Sequence, residues 1–279
     1  MLCQTLQDIE VIVVDDGSTD GTLAYLQSVK DLRLKLIALE QNQGLIHARM
    51  TGFYAAKSDL VAIMDADDIA HPQRLQLQYE VLNSKLADVC GSYHVSLHET
   101  DGRRRMKPSF VKNSDLRALL TIYSPLCNPS VSFRRSILEN IAYKVEYRHA
   151  EDYGFWCDIS LADFNFYNIP QALLTYRVHG GQVSQIKIAA AKDAFKRAQS
   201  NYINRLIGWD MVPHAIPFTR RLRVAMRYLK VLSARVGPLS FAACYELYAE
   251  FQYRRNGIFT LSTRLERAMV SLYAAAVWK

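Results

Sequence analysis

Glu10-Val-Ile-Val-Val-Asp15-Asp16-Gly17-Ser18-Thr19-Asp20 is a short, nearly continuous apolar run that stops in a cluster of acids. Leu60-Val-Ala-Ile-Met-Asp65-Ala66-Asp67-Asp68 repeats the pattern further on. A run without alternation suits a strand covered on both faces, as in a parallel sheet, and ligands of such sheets gather beyond the carboxyl ends of the strands. Both acid clusters then open into one crevice. Carboxylates this crowded repel one another unless a cation or a donor-rich ligand lies among them, and a hard divalent ion carrying a diphosphate meets that need.

Outward from these runs, strand-like and helix-like segments alternate, which predicts an α/β sheet. Asp20 can cap a helix from Gly21 to Val29, Leu34 to Leu39 reads as a strand, and Gly44 precedes a helix through Ala56. Pro72 opens a helix with Leu75, Gln78, Tyr79 and Leu82 on one face. Val89 to Leu97 reads as a strand leading into a polar, mobile loop, Glu99-Thr-Asp-Gly-Arg-Arg-Arg. Pro129 to Phe133 reads as a strand, Glu151 to Leu161 as a helix, and Phe164 to Ile169 with Ala172 to Val178 as a strand pair split at Pro170. Beyond Ser184 the expected elements are all helical: Lys187 to Leu206, Phe218 to Arg235, Ser240 to Arg255 and Leu261 to Trp278.

With 279 residues the chain can bury a sizeable core. It shows neither a membrane-spanning apolar stretch nor a signal-peptide pattern. Five scattered cysteines suggest neither a zinc site nor a disulfide framework. The cytoplasm is the expected location, at the inner face of the membrane if the tail docks there. The net charge of +7 hides an asymmetry: residues 1–185 hold 18 basic and 22 acidic residues, whereas 186–279 hold 16 and 5. The first part is expected to be the catalytic domain and the second a basic helical extension.

Taken alone, Asp15 to Thr22 fits a ligand turn or a capped turn with solvated acids, since Asp, Ser and Gly are ordinary turn residues. Asp65-Ala-Asp67-Asp68 is sharper, because alternating acids after a buried strand can turn two carboxylates toward one ion. His94 and His98 read as strand residues rather than a helical metal pair.

Five blocks in order resemble glycosyltransferase family 2, the inverting enzymes whose catalytic domain has the GT-A fold. They are Glu10 to Thr22, Asn42-Gln-Gly44-Leu-Ile-His-Ala48-Arg49, Asp65-Ala-Asp67-Asp68, Glu151-Asp152-Tyr-Gly-Phe-Trp156, and Tyr176-Arg177-Val-His179 with Ser184. The resemblance implies a nucleotide-sugar donor, a UDP-sugar by preference. It places Asp15, Asp16 and Ser18 near the nucleotide with Arg49 supporting it, Asp65 near the ribose, and Asp67 on a Mn2+ or Mg2+ ion bridging the diphosphate, with His179 as a candidate to complete the metal shell. The acceptor is expected to be a saccharide, or a lipid-linked one if the basic tail lies on a membrane, in the synthesis of cell-surface polysaccharide or glycolipid. Family members carry a further strand ahead of the stretch resembling Gln4 to Glu10, so the chain reads as N-terminally short, and its activity is in question more than its fold.

Such a reaction must neutralise the leaving nucleoside diphosphate and take a proton from the acceptor hydroxyl, tasks for a metal and a carboxylate base. By the resemblance Asp152 is the base and Glu151 positions the acceptor. The alternative is that both acids only complement the helix dipole. A helix start and a nearby metal are expected to lower their pKa values.

In the tail, Arg220, Arg223, Arg227 and Lys230 line one helical face, and Leu222, Ala225, Met226, Leu229 and Leu232 the other. Such a helix can lie on an anionic membrane or pack its apolar stripe on the catalytic domain. Nothing beside the charge reads nucleic acid. Two rival functions remain: a remnant that binds nucleotide sugar without turnover, and a phosphorylation-dependent receiver domain, whose lysine Lys107-Pro108 imitates.

Overall fold

The computed structural model describes residues 1–180, 188–208 and 218–247, without the side chains of 218–223. β1 (Val11–Asp15) and β2 (Leu34–Ala38) pair in parallel, with Asp15 opposite Ala38. α1 (Thr22–Ser28) makes the crossover that parallel pairing needs, and α2 (Leu45–Ala55) leads to β3 (Leu60–Ala62).

β3 belongs to a second sheet, ordered β3, β7 (Ser132–Arg134), β5 (Val89–His98), β8 (Phe166–Val178), β4 (Ile69–Ala70), with β6 (Arg104–Lys107) also on β5. Only β5 and β8 are parallel here; the other four pairs are antiparallel. The α/β class stands, but the sheet is more mixed than a mainly parallel one. The residues expected to form a mobile loop explain part of this. Gly102, at φ +69°, lets the chain reverse at once, so that Arg104–Lys107 returns along β5 as a strand.

Two further boundaries differ from expectation. Asn128–Ser130 is a 3-10 turn, which confines β7 to Ser132–Arg134. Pro170 does not end its strand: Ser92 pairs with Ile169 and Tyr93 with Ala172, so Pro170 and Gln171 bulge out and β8 runs on. A proline at a bulge sacrifices no ladder bond.

No ladder joins β1 to β3 among the described residues. Val11 to Val14 are accordingly only half-buried, although their sequence suits a covered strand. The first eight residues run instead toward α3 (Arg74–Asn83), where the buried Gln4 donates to the His71 carbonyl at 2.9 Å and accepts from the Leu75 N–H at 2.9 Å.

The main core lies behind the second sheet. Phe133 of β7 meets Phe53 of α2 and Phe155 and Trp156 of α5 (Glu151–Leu161) edge-on. α4 (Asn113–Leu119), α6 (Ile188–Ile207) and α7 (Phe218–Val236) close it from outside. Tyr202 of α6 shares its hydroxyl with Ser160 at 2.7 Å and donates to the Arg117 carbonyl at 2.8 Å. Ala225, Leu229 and Leu232 of α7 are buried in the same cluster, with Met226 packed against it. The apolar stripe of the basic helix is thus used inside the molecule, as the second of the two tail readings has it. The side chains of Leu222, Arg220 and Arg223, together with Ser184 and the helix expected over 261–278, lie outside the described residues.

Candidate functional site

α2 ties the two acid clusters together. Asp16 accepts from the N–H groups of Gln43 and Gly44, both at 2.8 Å, and so fixes the loop that starts α2. Gly17 makes this close approach possible: its φ is +73°, and a Cβ there would lie 2.7 Å from the Asn42 nitrogen. Asp15 is buried and accepts from the Ser18 N–H at 3.3 Å, while Ser18 is exposed at the mouth of the turn. One helical turn into α2, Arg49 reaches the second cluster and bonds Asp65 at 2.6 Å. Its guanidinium also lies 5.8 Å from the centre of the Tyr143 ring. Burial works against the Arg49 charge more than any other single influence, yet the pull of Tyr143, Asp65 and Asp152 leaves its pKa raised.

The second cluster projects from the end of β3. One carboxylate oxygen each from Asp65, Asp67 and Asp68 lies within 4.8 Å of the others, a donor set suited to a hard cation. Burial raises the pKa of Asp65 despite Arg49, and pushes that of Asp68 up to about 6. Asp68 Oδ1 accepts from the Arg177 N–H at 2.9 Å, while its buried Oδ2 has no hydrogen-bond partner. A buried oxygen left so is costly, and a cation would satisfy it. His179 reaches Asp67 Oδ2 at 3.0 Å through Nε2, and the Arg177 side chain donates to the Asp67 carbonyl. The resemblance brought Asp67 and His179 together; it contained Asp68 but gave it no role.

Glu151 and Asp152 begin α5. Glu151 is buried and accepts from the His149 N–H at 2.6 Å, in a turn where His149 takes φ +76°, an uncommon conformation outside glycine. Asp152 accepts from the Tyr153 N–H at 2.7 Å. Burial raises its pKa more than that bond and Arg49 lower it, with Glu151 and Asp65 adding repulsion. The expected lowering at the helix start is therefore reversed, because the carboxylate loses more hydration than the helix start returns. A raised pKa favours a base.

Sequence reasoning missed Arg74. It is fully buried under the acidic cluster and donates to the Ile63 carbonyl at 2.6 Å, to the Val131 carbonyl at 3.4 Å and to Gln78 at 3.1 Å. It clamps the strand end from which Asp65 departs. Its only sequence signal is position, two residues after the Pro72 that opens the helix of the expected apolar stripe. Cys127 was missed too; burial raises its pKa, Asp68, Asp65 and Asp152 raise it further and Arg74 lowers it, so the thiol is within electrostatic reach of both acidic groups.

A profile for glycosyl transferase family 2 matches residues 1–142. An uncharacterized glycosyltransferase of Haemophilus influenzae is 30% identical over 226 residues, 75% of this chain and 69% of that one. The amylovoran biosynthesis glycosyltransferase AmsE of Erwinia amylovora is 25% identical, over 80% of this chain and 77% of its own. Among solved structures, S. aureus TarS 1-349 in complex with UDP-GlcNAc superposes with a TM-score of 0.56 at 18% identity, covering 98% of this chain and 83% of that one. These likenesses displace the receiver-domain reading, and Lys107 pairs with His94 in a hairpin rather than ending a buried strand. The chain belongs to glycosyl transferase family 2 and has the GT-A fold.

Proposed function

We propose that this chain moves a sugar from a nucleoside-diphosphate sugar, UDP-linked by preference, to an acceptor hydroxyl with inversion, in cell-surface polysaccharide or glycolipid synthesis. The observation that carries this reading is the gathering of Asp65, Asp67 and Asp68 within 4.8 Å of one another, with Arg49 bonded to Asp65 and within the electrostatic reach of Asp152. Asp67 and Asp65, with Asp68 and His179 beside them, are the residues to hold Mn2+ or Mg2+, which would supply charge to the departing diphosphate. Arg49 favours the ionised form of Asp65 against its burial and orients it. Asp152 takes the acceptor proton as the new glycosidic bond forms on the face opposite the leaving group, and Glu151 holds the turn that orients it.

The binding-only reading is favoured by one feature, the missing ladder between β1 and β3. Calorimetry with UDP and Mn2+, paired with a donor-hydrolysis assay, separates the two. Transfer predicts metal-dependent binding and slow hydrolysis in the wild type, with Asp152→Asn keeping the binding and losing the hydrolysis. Binding with no turnover by the wild type would establish the remnant. Membrane attachment, if the tail provides it, rests on exposed cations such as Lys230 and not on the buried stripe.

A further inference from the structure

We propose that one face of the β5–β6 hairpin is an anion site for the acceptor, in which Arg105 and Lys107 hold a diphosphate group beyond a floor formed by His94 and Tyr176. This rests on the sugar-transfer reading and assigns its acceptor a class: saccharides carried on a diphosphate.

The register places the hairpin beside the donor site. Arg105 pairs with Ser96, which pairs with Tyr176; Arg104 pairs with Leu97, which pairs with Arg177. Two strand spacings, about 10 Å, thus separate the basic strand from the residue whose N–H holds Asp68. One ring contact and the electrostatic influences on either side of it follow the same path. The Tyr176 ring, on which Cys127 and the cluster acids Asp68, Asp65 and Asp67 act, meets the His94 ring at 5.9 Å, and Lys107 acts electrostatically on His94.

The charge there is unanswered. Arg103 pairs with Asp101 at 2.5 Å and Arg177 with Glu99 at 3.4 Å, which uses the nearby acids. Arg104, Arg105 and Lys107 have no ion pair among the described residues, and the β5 residues opposite them are Leu97, Ser96 and His94. Charges on an edge strand also discourage edge-to-edge pairing, a role to which either face would contribute equally. Arg105 and Lys107 share one face, about 7 Å apart along the strand, a spacing that lets two cations grip adjacent phosphoryl groups with charge-assisted hydrogen bonds. Arg104 points to the other face.

That alternation supplies the control. Octyl diphosphate is titrated into the full chain by calorimetry, once with UDP and Mn2+ saturating and once in metal-free buffer. The site predicts saturable binding in both, weakened at least tenfold in Arg105→Gln/Lys107→Gln and less than twofold in Arg104→Gln. No binding by the wild type, or equal losses in both variants, overturns it. So does a double variant that keeps octyl diphosphate but no longer sediments with phosphatidylglycerol vesicles, which would make the hairpin a membrane contact. If UDP and Mn2+ fail to bind while octyl diphosphate still does, the donor reading falls and the anion site stands.

Discussion

Asp68 is the residue on which the donor site's electrostatics turn. Its pKa is raised from 3.8 to about 6 because burial penalises its charged form. A carboxyl with a raised folded-state pKa costs nothing below its unfolded value; the cost enters between about pH 4 and 6 and is complete above. The shift corresponds to roughly 2 to 3 kcal/mol. We therefore expect Asp68→Asn to stabilise the metal-free protein at pH 7 by about 2 kcal/mol, with the gain vanishing near pH 4, as read by urea denaturation in EDTA. The same variant should lose most of the thermal shift that UDP and Mn2+ give the wild type. Asp67→Ala keeps the buried Asp68 but removes a ligand, so metal-dependent UDP binding should be lost without that gain at pH 7. Asp65 and Asp67 were legible as a repeated strand-end pattern. Asp68 was legible as the last acid of that pattern, but its burial and unpartnered oxygen were not, and neither was Arg74, because these are properties of packing that no short motif encodes.

Among the elements, α5 is set by one glycine. A Cβ on Gly154 would lie 2.3 Å from the Tyr147 ring, so the helix carrying Glu151 and Asp152 can approach the 3-10 turn at Val145–Tyr147 only without a side chain there. Gly154→Ala should cost about 1 to 3 kcal/mol in chemical denaturation and lower turnover by shifting Asp152. Pairing it with Tyr147→Leu should recover part of both losses, and a double-mutant cycle with no coupling would refute the clash. Elements with clear periodicity, such as α5 itself and β5, were legible to within a residue or two. β4 and α4 were not: β4 is two residues long and exists only because Leu174 and Thr175 pair with it, and α4 is seven residues whose burial comes from distant helices. β6 was masked by its own arginines, which read as solvated loop until Gly102 turns them back along β5.

Across the whole molecule, the change of charge after residue 185 suggests two units, but the hydrophobic core does not divide there. Leu232 of α7 is wholly buried in the cluster that also holds Leu116 of α4, Trp156 of α5 and Phe133 of β7. Ser114 donates to the Pro238 carbonyl at 2.7 Å, and the buried Asp115 accepts from the Ser240 N–H at 2.7 Å, so α4 is fastened to the chain that follows α7. Charge is a surface property and partners are set by the apolar stripe, which is why composition pointed to a boundary that packing crosses. If the helices were a separate attachment unit, a cavity in α7 would leave the sheet untouched. One shared core predicts otherwise: Leu232→Ala should cost about 2 to 5 kcal/mol, and hydrogen exchange should quicken together in α7, α5 and β7. β1 and β2, joined to the rest through α2 and the first residues rather than by a ladder, should already exchange faster than β5 and β8 in the wild type, and UDP with Mn2+ should slow them. If β1 exchanged as slowly as β5 without ligand, the split between the two sheets would carry no energetic weight, and donor binding would have no role in holding the two acid-tipped strands together.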